Sequence, residues 1–292
     1  VWDVGVDPGA FQGRNAVAEG LAFDVDWRPS ADDLEPVPPA YADKLVFAER
    51  IFRGSGDLRA GLDGPDVTFL RETIAGMGVG DFDTFDALTR WYFNRIHGTM
   101  VADIASRGNP AIRIVPVRIT FSDAPVPPPI DEAVAARMLD AARASIACMK
   151  SEGVRVTNMS WGITARDIED QLAANHIEAD PEARKRRAQA IFDTLFKGFS
   201  DLIADAPEIL FVIAAGNTNQ DMDFVRDMPG SINLPNVLSV ASVDAAGSLS
   251  SFASTGPSVD LHAPGENIEV LVPGGGRIRM SGSSLSAPHV VN

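Results

Sequence analysis

A chain of 292 residues, 45% apolar and 22% charged, is long enough to bury a sizeable core. Forty acidic residues against 25 basic ones give a net charge of −15, which argues against nucleic acid or an anionic membrane as partner, since both call for positive surface. No run of about 18 apolar residues exists, so no membrane-spanning helix is expected, and the single Cys148 allows no intrachain disulfide.

In chain order, Val1 to Val4 reads as a short strand that carries Asp3 and is followed by Gly5. The stretch from Pro8 to Arg95 has turn clusters at Pro36 to Pro39, Gly54 to Gly56 and Gly76 to Gly80 between short helical patterns. It reads as an elaborated connection (8–95) within a single domain (1–292), mostly helical. IHGTMVADIA, Ile96 to Ala105, predicts the beginning of an amphipathic helix at His97. A strand over Ile112 to Thr120 and a stiff connector, Pro125 to Ile130, come next. Ile130 to Glu152 has helical spacing and stops at Gly153, where positive φ commonly ends a helix. A second helix fits Pro181 to about Asp205, with Pro181 and Glu182 suited to its first turn. Further strands are expected at Val154 to Met159, Ile209 to Ala214, Val237 to Val243 and Val259 to Ala263. This alternation predicts a three-layer α/β fold, a mostly parallel sheet with helices on both faces.

Four segments combine residue types that carry chemistry, and each has an ordinary structural alternative. Asp3 sits where open α/β sheets bind ligands; Asp7 is a rival better suited to a cap. His97 has small neighbours that let backbone approach the ring, although buried structural histidines look similar; His176, His262 and His289 lack that setting. Asn217 ends the run FVIAAGN, where its amide is either an oxyanion donor or a turn residue. Ser284 lies in SGSSLSAPHV, with Pro288 read as belonging to a first helical turn, so its hydroxyl is either a cap or a nucleophile at a helix N-terminus.

Taken together, D-x-G at Asp3, H-G-T at His97, N-x-S-x-G at Asn158, A-A-G-N ending at Asn217 and G-S-S-x-S-A-P-H around Ser284 resemble the subtilisin-like serine proteases. The resemblance implies Asp3, His97 and Ser284 as a triad, Asn217 as an oxyanion donor, and Ser160, Trp161 and Gly162 as the segment that binds an extended polypeptide. Trp161 is then expected to project toward a substrate side-chain pocket. The chemistry implied requires no metal or cofactor; structural calcium is frequent in the family, and no site for it can be located from the sequence. The resemblance favours a secreted or periplasmic protein.

Departures from the family pattern are Val4 where Ser or Thr is usual, Met100 where a second His is frequent, Asp103 for a common Gly, and Ser283 and Ser286 for Thr and Ala. The 94 positions between Asp3 and His97 exceed the family's usual few tens, so the 8–95 connection is expected at the cleft rim. Only eight residues follow Ser284 and two precede Asp3, so the domain is expected to be truncated at both ends. Alternative readings are a peptide ligase or macrocyclase on the same scaffold and an inactive peptide-binding relative.

Overall fold

Apolar runs such as ILFVIAA must be covered on both faces, and the chain folds to do that. The computed structural model describes residues 1–292. Its strands are β1 (Trp2–Asp3), β2 (Ala16–Val17), β3 (Leu21–Phe23), β4 (Pro29–Ser30), β5 (Arg113–Ile114), β6 (Val117–Arg118), β7 (Val156–Met159), β8 (Leu210–Ala214), β9 (Val237–Val243), β10 (Leu261–Pro264), β11 (Ile268–Leu271) and β12 (Arg277–Met280). Its helices are α1 (Leu45–Arg59), α2 (Pro65–Gly76), α3 (Phe82–Ser106), α4 (Glu132–Ser151), α5 (Ala165–Ala174), α6 (Pro181–Ala204), α7 (Met222–Val225) and α8 (Ser283–Val291).

Eight strands form the central sheet in the order β10, β9, β8, β7, β1, β6, β3, β4, parallel throughout except for the β3–β4 pair. The alternation of side chains along β8 shows the layering: Phe211 and Ile213 join the large core with α4, α5 and α6, whereas Val212 faces Ala287 of α8. On the α8 side, a second core unites α1, α3, β11 and β12 around Trp91, Ile96, Met100 and Leu285. Met100 is therefore a core side chain.

Local chemistry sets the helix ends. Asp131 accepts from Val134 N–H to start α4, Gly153 at φ +70° follows its last turn, and Asp180 caps α6 ahead of Pro181. Cys148 is half-buried on α4.

One expectation needs correction and another an addition. The run Ile112 to Thr120 is two strands: Pro116, which has no N–H to give a ladder, separates β5, paired with β2 in a small sheet, from β6 in the central one. The 8–95 connection is largely helical, with its α-helices from α1 onward, but it also supplies a strand: β3 pairs with β6, Leu21 opposite Val117, and extends the central sheet.

Asp103, fully buried on α3, accepts from Arg14 (2.9 Å), Arg107 (2.5 Å) and the Leu271 N–H (3.2 Å), tying the early connection and β11 to one helix. Burial raises its pKa, but the hydrogen bonds from Arg107 and Arg14 outweigh that and hold it below the usual carboxylate range. A depressed native pKa means the ion network stabilises the fold above the unfolded value of about 3.9 and is lost as pH falls through the native one. Asp103→Ala should therefore cost about 3 kcal/mol in urea unfolding at pH 7, the low end for breaking a buried pair because the arginines stay partly exposed. The difference from the parent protein should shrink as the pH is lowered through the acid range.

Candidate active site

The end of β1 and the middle of α3 meet residue by residue. His97 Nδ1 lies 2.6 Å from Asp3 Oδ1, and both side chains are buried. A Cβ on Gly98 would overlap the Gly5 carbonyl oxygen, and Thr99 Oγ1 accepts from Asp7 N–H at 3.0 Å. His97 is thus not at the start of its helix but well past the middle, because the helical pattern runs back to Phe82, deep inside the 8–95 connection. Asp7 has the capping role expected of it: its carboxylate accepts from Gly9 N–H and Gly274 N–H.

Asp3 Oδ1 also accepts from Val4 N–H at 2.8 Å, while Oδ2 is buried without a partner. The apolar Val4 side chain supplies no hydroxyl to it. An acceptor-only carboxylate against Nδ1 fixes the tautomer with the proton on Nδ1, which leaves the Nε2 lone pair free to take a proton. Phe93, one turn back, covers the imidazole at a centroid distance of 4.8 Å.

Ser284 is the second residue of α8 and only partly exposed. Pro288 lies inside the helix and not in its first turn. Lacking an N–H, it cannot bond the Ser284 carbonyl four residues back, and Ser160 Oγ donates to that oxygen instead, at 3.0 Å. Asn158 Nδ2 donates to Ser160 Oγ in turn, at 2.8 Å. Ser284 Oγ donates to the Ser160 carbonyl oxygen at 3.4 Å and makes no hydrogen bond to His97 in this structure.

The β8 end is fastened to the same helix. Asn217 Oδ1 accepts from Ser283 N–H at 2.7 Å, and Ser283 Oγ accepts from Gly216 N–H at 3.1 Å, so Ser283 uses the hydroxyl that it shares with Thr. With its oxygen anchored, Asn217 presents Nδ2, which bonds nothing else, beside the free N–H of Ser284 near the start of α8. Two unengaged donors at a helix N-terminus form a site suited to an oxyanion.

Of the three residues expected to bind substrate, Ser160 and Gly162 border this site, and Gly162 is exposed with its backbone unbonded. Trp161 does not project toward a pocket. Its ring packs edge-on against Trp2 (6.0 Å), Trp27 (6.4 Å) and Phe199 (5.8 Å), because alternation past β7 turns it to the core face. Ser286 Oγ is buried without a partner.

One charged group at the site escaped the motif reading. Asp227 lies on the loop after α7, in a segment whose sequence, RDMPG, offers only turn residues. Its carboxylate touches Gly162, and it is enclosed on most sides. That burial, with repulsion from Asp167, pushes its pKa up to about 7. Asn217 also lines a cleft of about 680 Å³ together with Phe52, Gly56, Phe93, Phe252 and Met280, so α1 of the 8–95 connection stands beside the site. No group of three or more His, Cys, Asp or Glu side chains is placed to hold a metal ion.

The family model described as "Subtilase family" matches residues 85–292. Among curated proteins, Subtilisin-like protease 1 of Trichophyton verrucosum is 49% identical over 78 residues, 27% of this chain and 18% of that protein. Subtilisin-like protease 4 of Trichophyton tonsurans is 35% identical over 157 residues, 51% of this chain and 37% of that protein. The chain therefore spans well under half the length of these relatives. Among solved structures, a cold adapted subtilisin-like serine proteinase has a TM-score of 0.54 at 21% identity, covering 99% of this chain and 70% of that one. A mutant of the protease domain of PatA has a TM-score of 0.51 at 20% identity, covering 99% and 74%. These two likenesses are of fold.

Because Ser160 Oγ replaces the helical donor that Pro288 lacks, Ser160→Ala should leave a carbonyl unsatisfied and lower stability by about 1–3 kcal/mol. Ser160→Thr, which keeps the hydroxyl, should lose less in the same denaturant titration. Equal losses for both would show that the bond contributes nothing.

Proposed function

We propose that this chain, which belongs to the subtilase family, hydrolyses peptide bonds as a serine endopeptidase through Asp3, His97 and Ser284. The observation that carries the reading is the buried Asp3–His97 hydrogen bond at the end of the central strand, beside the two free donors at the start of α8. Family membership and the curated subtilisin-like relatives support the same reaction class.

In the proposed reaction a polypeptide lies extended along Ser160 to Gly162, pairing with the unbonded backbone of Gly162 and with the Ser160 carbonyl once Ser284 Oγ has left it. Ser284 Oγ turns from the Ser160 carbonyl toward His97 Nε2, gives up its proton there and attacks the scissile carbonyl. Asp3 holds the imidazole in the productive tautomer and stabilises the imidazolium. Asn217 Nδ2 and Ser284 N–H receive the negative charge on the carbonyl oxygen. His97 then protonates the leaving amine, and the acyl-enzyme is hydrolysed by the reverse sequence with water.

Side chains and backbone amides cover every proton and charge in this scheme, so we propose no cofactor for the chemistry; calcium, where bound, would serve structure. A secreted or periplasmic location is proposed with the family. No helix is long and apolar enough to cross a membrane.

The position of α1 beside Asn217 favours a second reading, in which an amine and not water takes the acyl group and the product is a ligated or cyclic peptide. Product masses separate the two, since hydrolysis adds one water and ligation adds none.

Ser284→Ala should abolish peptide turnover and labelling by a serine-directed phosphonate while circular dichroism stays native. A label on Ser283 or Ser286 would overturn the assignment. Asn217→Ala should lower kcat by on the order of 10²- to 10³-fold with little change in KM, the magnitude established for the corresponding amide of subtilisin. An effect confined to KM would assign Asn217 to ground-state binding.

A further inference from the structure

Two segments flank Ser284, and each is fastened to it or to its neighbour. Ser160 and Ser284 exchange hydrogen bonds, and Gly162 is two residues beyond Ser160. Gly216 and Asn217 both bond Ser283. The Asp227 carboxylate lies between the two segments. A Cβ on Gly162 would overlap its Oδ1, and a Cβ on Gly216 would lie 3.6 Å from its Oδ2. Glycine on both sides thus leaves the carboxylate bare to whatever enters between the segments.

This carboxylate has no partner: no side-chain hydrogen bond and no ion pair reaches it, and Asp227 keeps part of its surface exposed. Enclosed carboxylates are normally paired, because leaving one ionised and alone is costly. The neighbouring cation is engaged elsewhere. Arg226 bonds Asp193 at 2.7 Å and lies over the rings of Phe192 and Phe196. The other charge felt at Asp227 is Asp167, of the same sign, and burial with that repulsion holds its pKa near 7. A carboxylate so placed is short of one thing, a cation brought from outside.

With a peptide along Ser160 to Gly162 and its scissile carbonyl at Asn217, the side chain just before the scissile bond enters between these same segments. We propose that Asp227 determines specificity at that substrate position and selects arginine or lysine; this rests on the peptidase reading above. A guanidinium can meet the two oxygens with paired, charge-assisted hydrogen bonds, and an ammonium can do so as a point charge. An apolar side chain would leave the carboxylate desolvated and unpaired.

Two measurements test this. In the first, peptides differing only in Arg, Lys, Leu or Phe before the scissile bond are compared; Arg and Lys should be favoured about tenfold or more in kcat/KM, and Asp227→Asn should remove that ratio. In the second, benzamidine, a small planar cation, is titrated calorimetrically into Ser284→Ala, where binding needs no turnover. It should bind saturably, and adding Asp227→Asn should abolish the binding. Preference for Leu or Phe in the parent enzyme, a ratio unchanged in Asp227→Asn, or absence of benzamidine binding would each overturn the proposal. Benzamidine binding that depends on Asp227, with no peptide cleaved, would uphold the cation site and defeat the peptidase reading instead.

Discussion

The closeness of α3 to the end of β1 is the constraint on which the site depends. A side chain on Gly98 would run into the Gly5 carbonyl, so the helix and strand can meet only backbone to backbone there. Gly5 itself has φ +111° and is crowded by the Asp33 carbonyl and the Arg118 side chain, so neither glycine can be exchanged without moving an element. The contact sets His97 and Thr99, on either side, against Asp3 and Asp7. Three consecutive helical residues thereby read alternate residues of the strand end, and the pairing cannot slip by one position without losing all three contacts.

The other half of the site hangs from α8 in a comparable way. Pro288 breaks the helical bonding, and the freed Ser284 carbonyl becomes an attachment point for β7 through Ser160. Ser283, with one N–H and one hydroxyl, holds Asn217 and Gly216. Donors that are positioned before substrate arrives need no reorganisation when charge develops, which is where such sites gain most of their advantage over water. The asymmetry is that Asp3 and His97 are locked together while Ser284 Oγ is held by a long bond to a carbonyl. In the proposed mechanism the base is therefore rigid, and the nucleophile is the part free to turn.

Much of this was legible in the sequence where spacing reports geometry directly. The apolar runs that became β8 and β9, the Gly that ends α4, and the D-x-G and H-G-T segments all express short-range rules of pairing, helix termination and close approach. What was missed depends on partners distant in sequence. Trp161 was expected at a substrate pocket from the family resemblance, yet the direction of its side chain is settled by Trp2, Trp27 and Phe199. Leu21 to Phe23 read as part of an elaborated, mostly helical connection because strands this short carry no period of their own and acquire identity from β6. Asp227 sat in a plain turn motif, and only the folded chain shows that it faces Gly162 without a counter-ion.

The tryptophan cluster beneath the sheet has an optical consequence. Trp2 adjoins Asp3 in sequence and Trp161 adjoins Ser160, while Trp27 completes the group, with ring centroids about 6 Å apart from one to the next. The indole N–H groups of Trp2 and Trp161 are buried and bonded to nothing, so these rings sit in surroundings of low polarity. Their ultraviolet emission should lie toward the blue, and at such spacing excitation can pass from ring to ring. Because two of the three chromophores share a peptide bond with a residue of the site, intrinsic fluorescence offers a label-free view of movement at the strand ends. The fourth tryptophan, Trp91, lies in the separate core around α3 and supplies an internal reference.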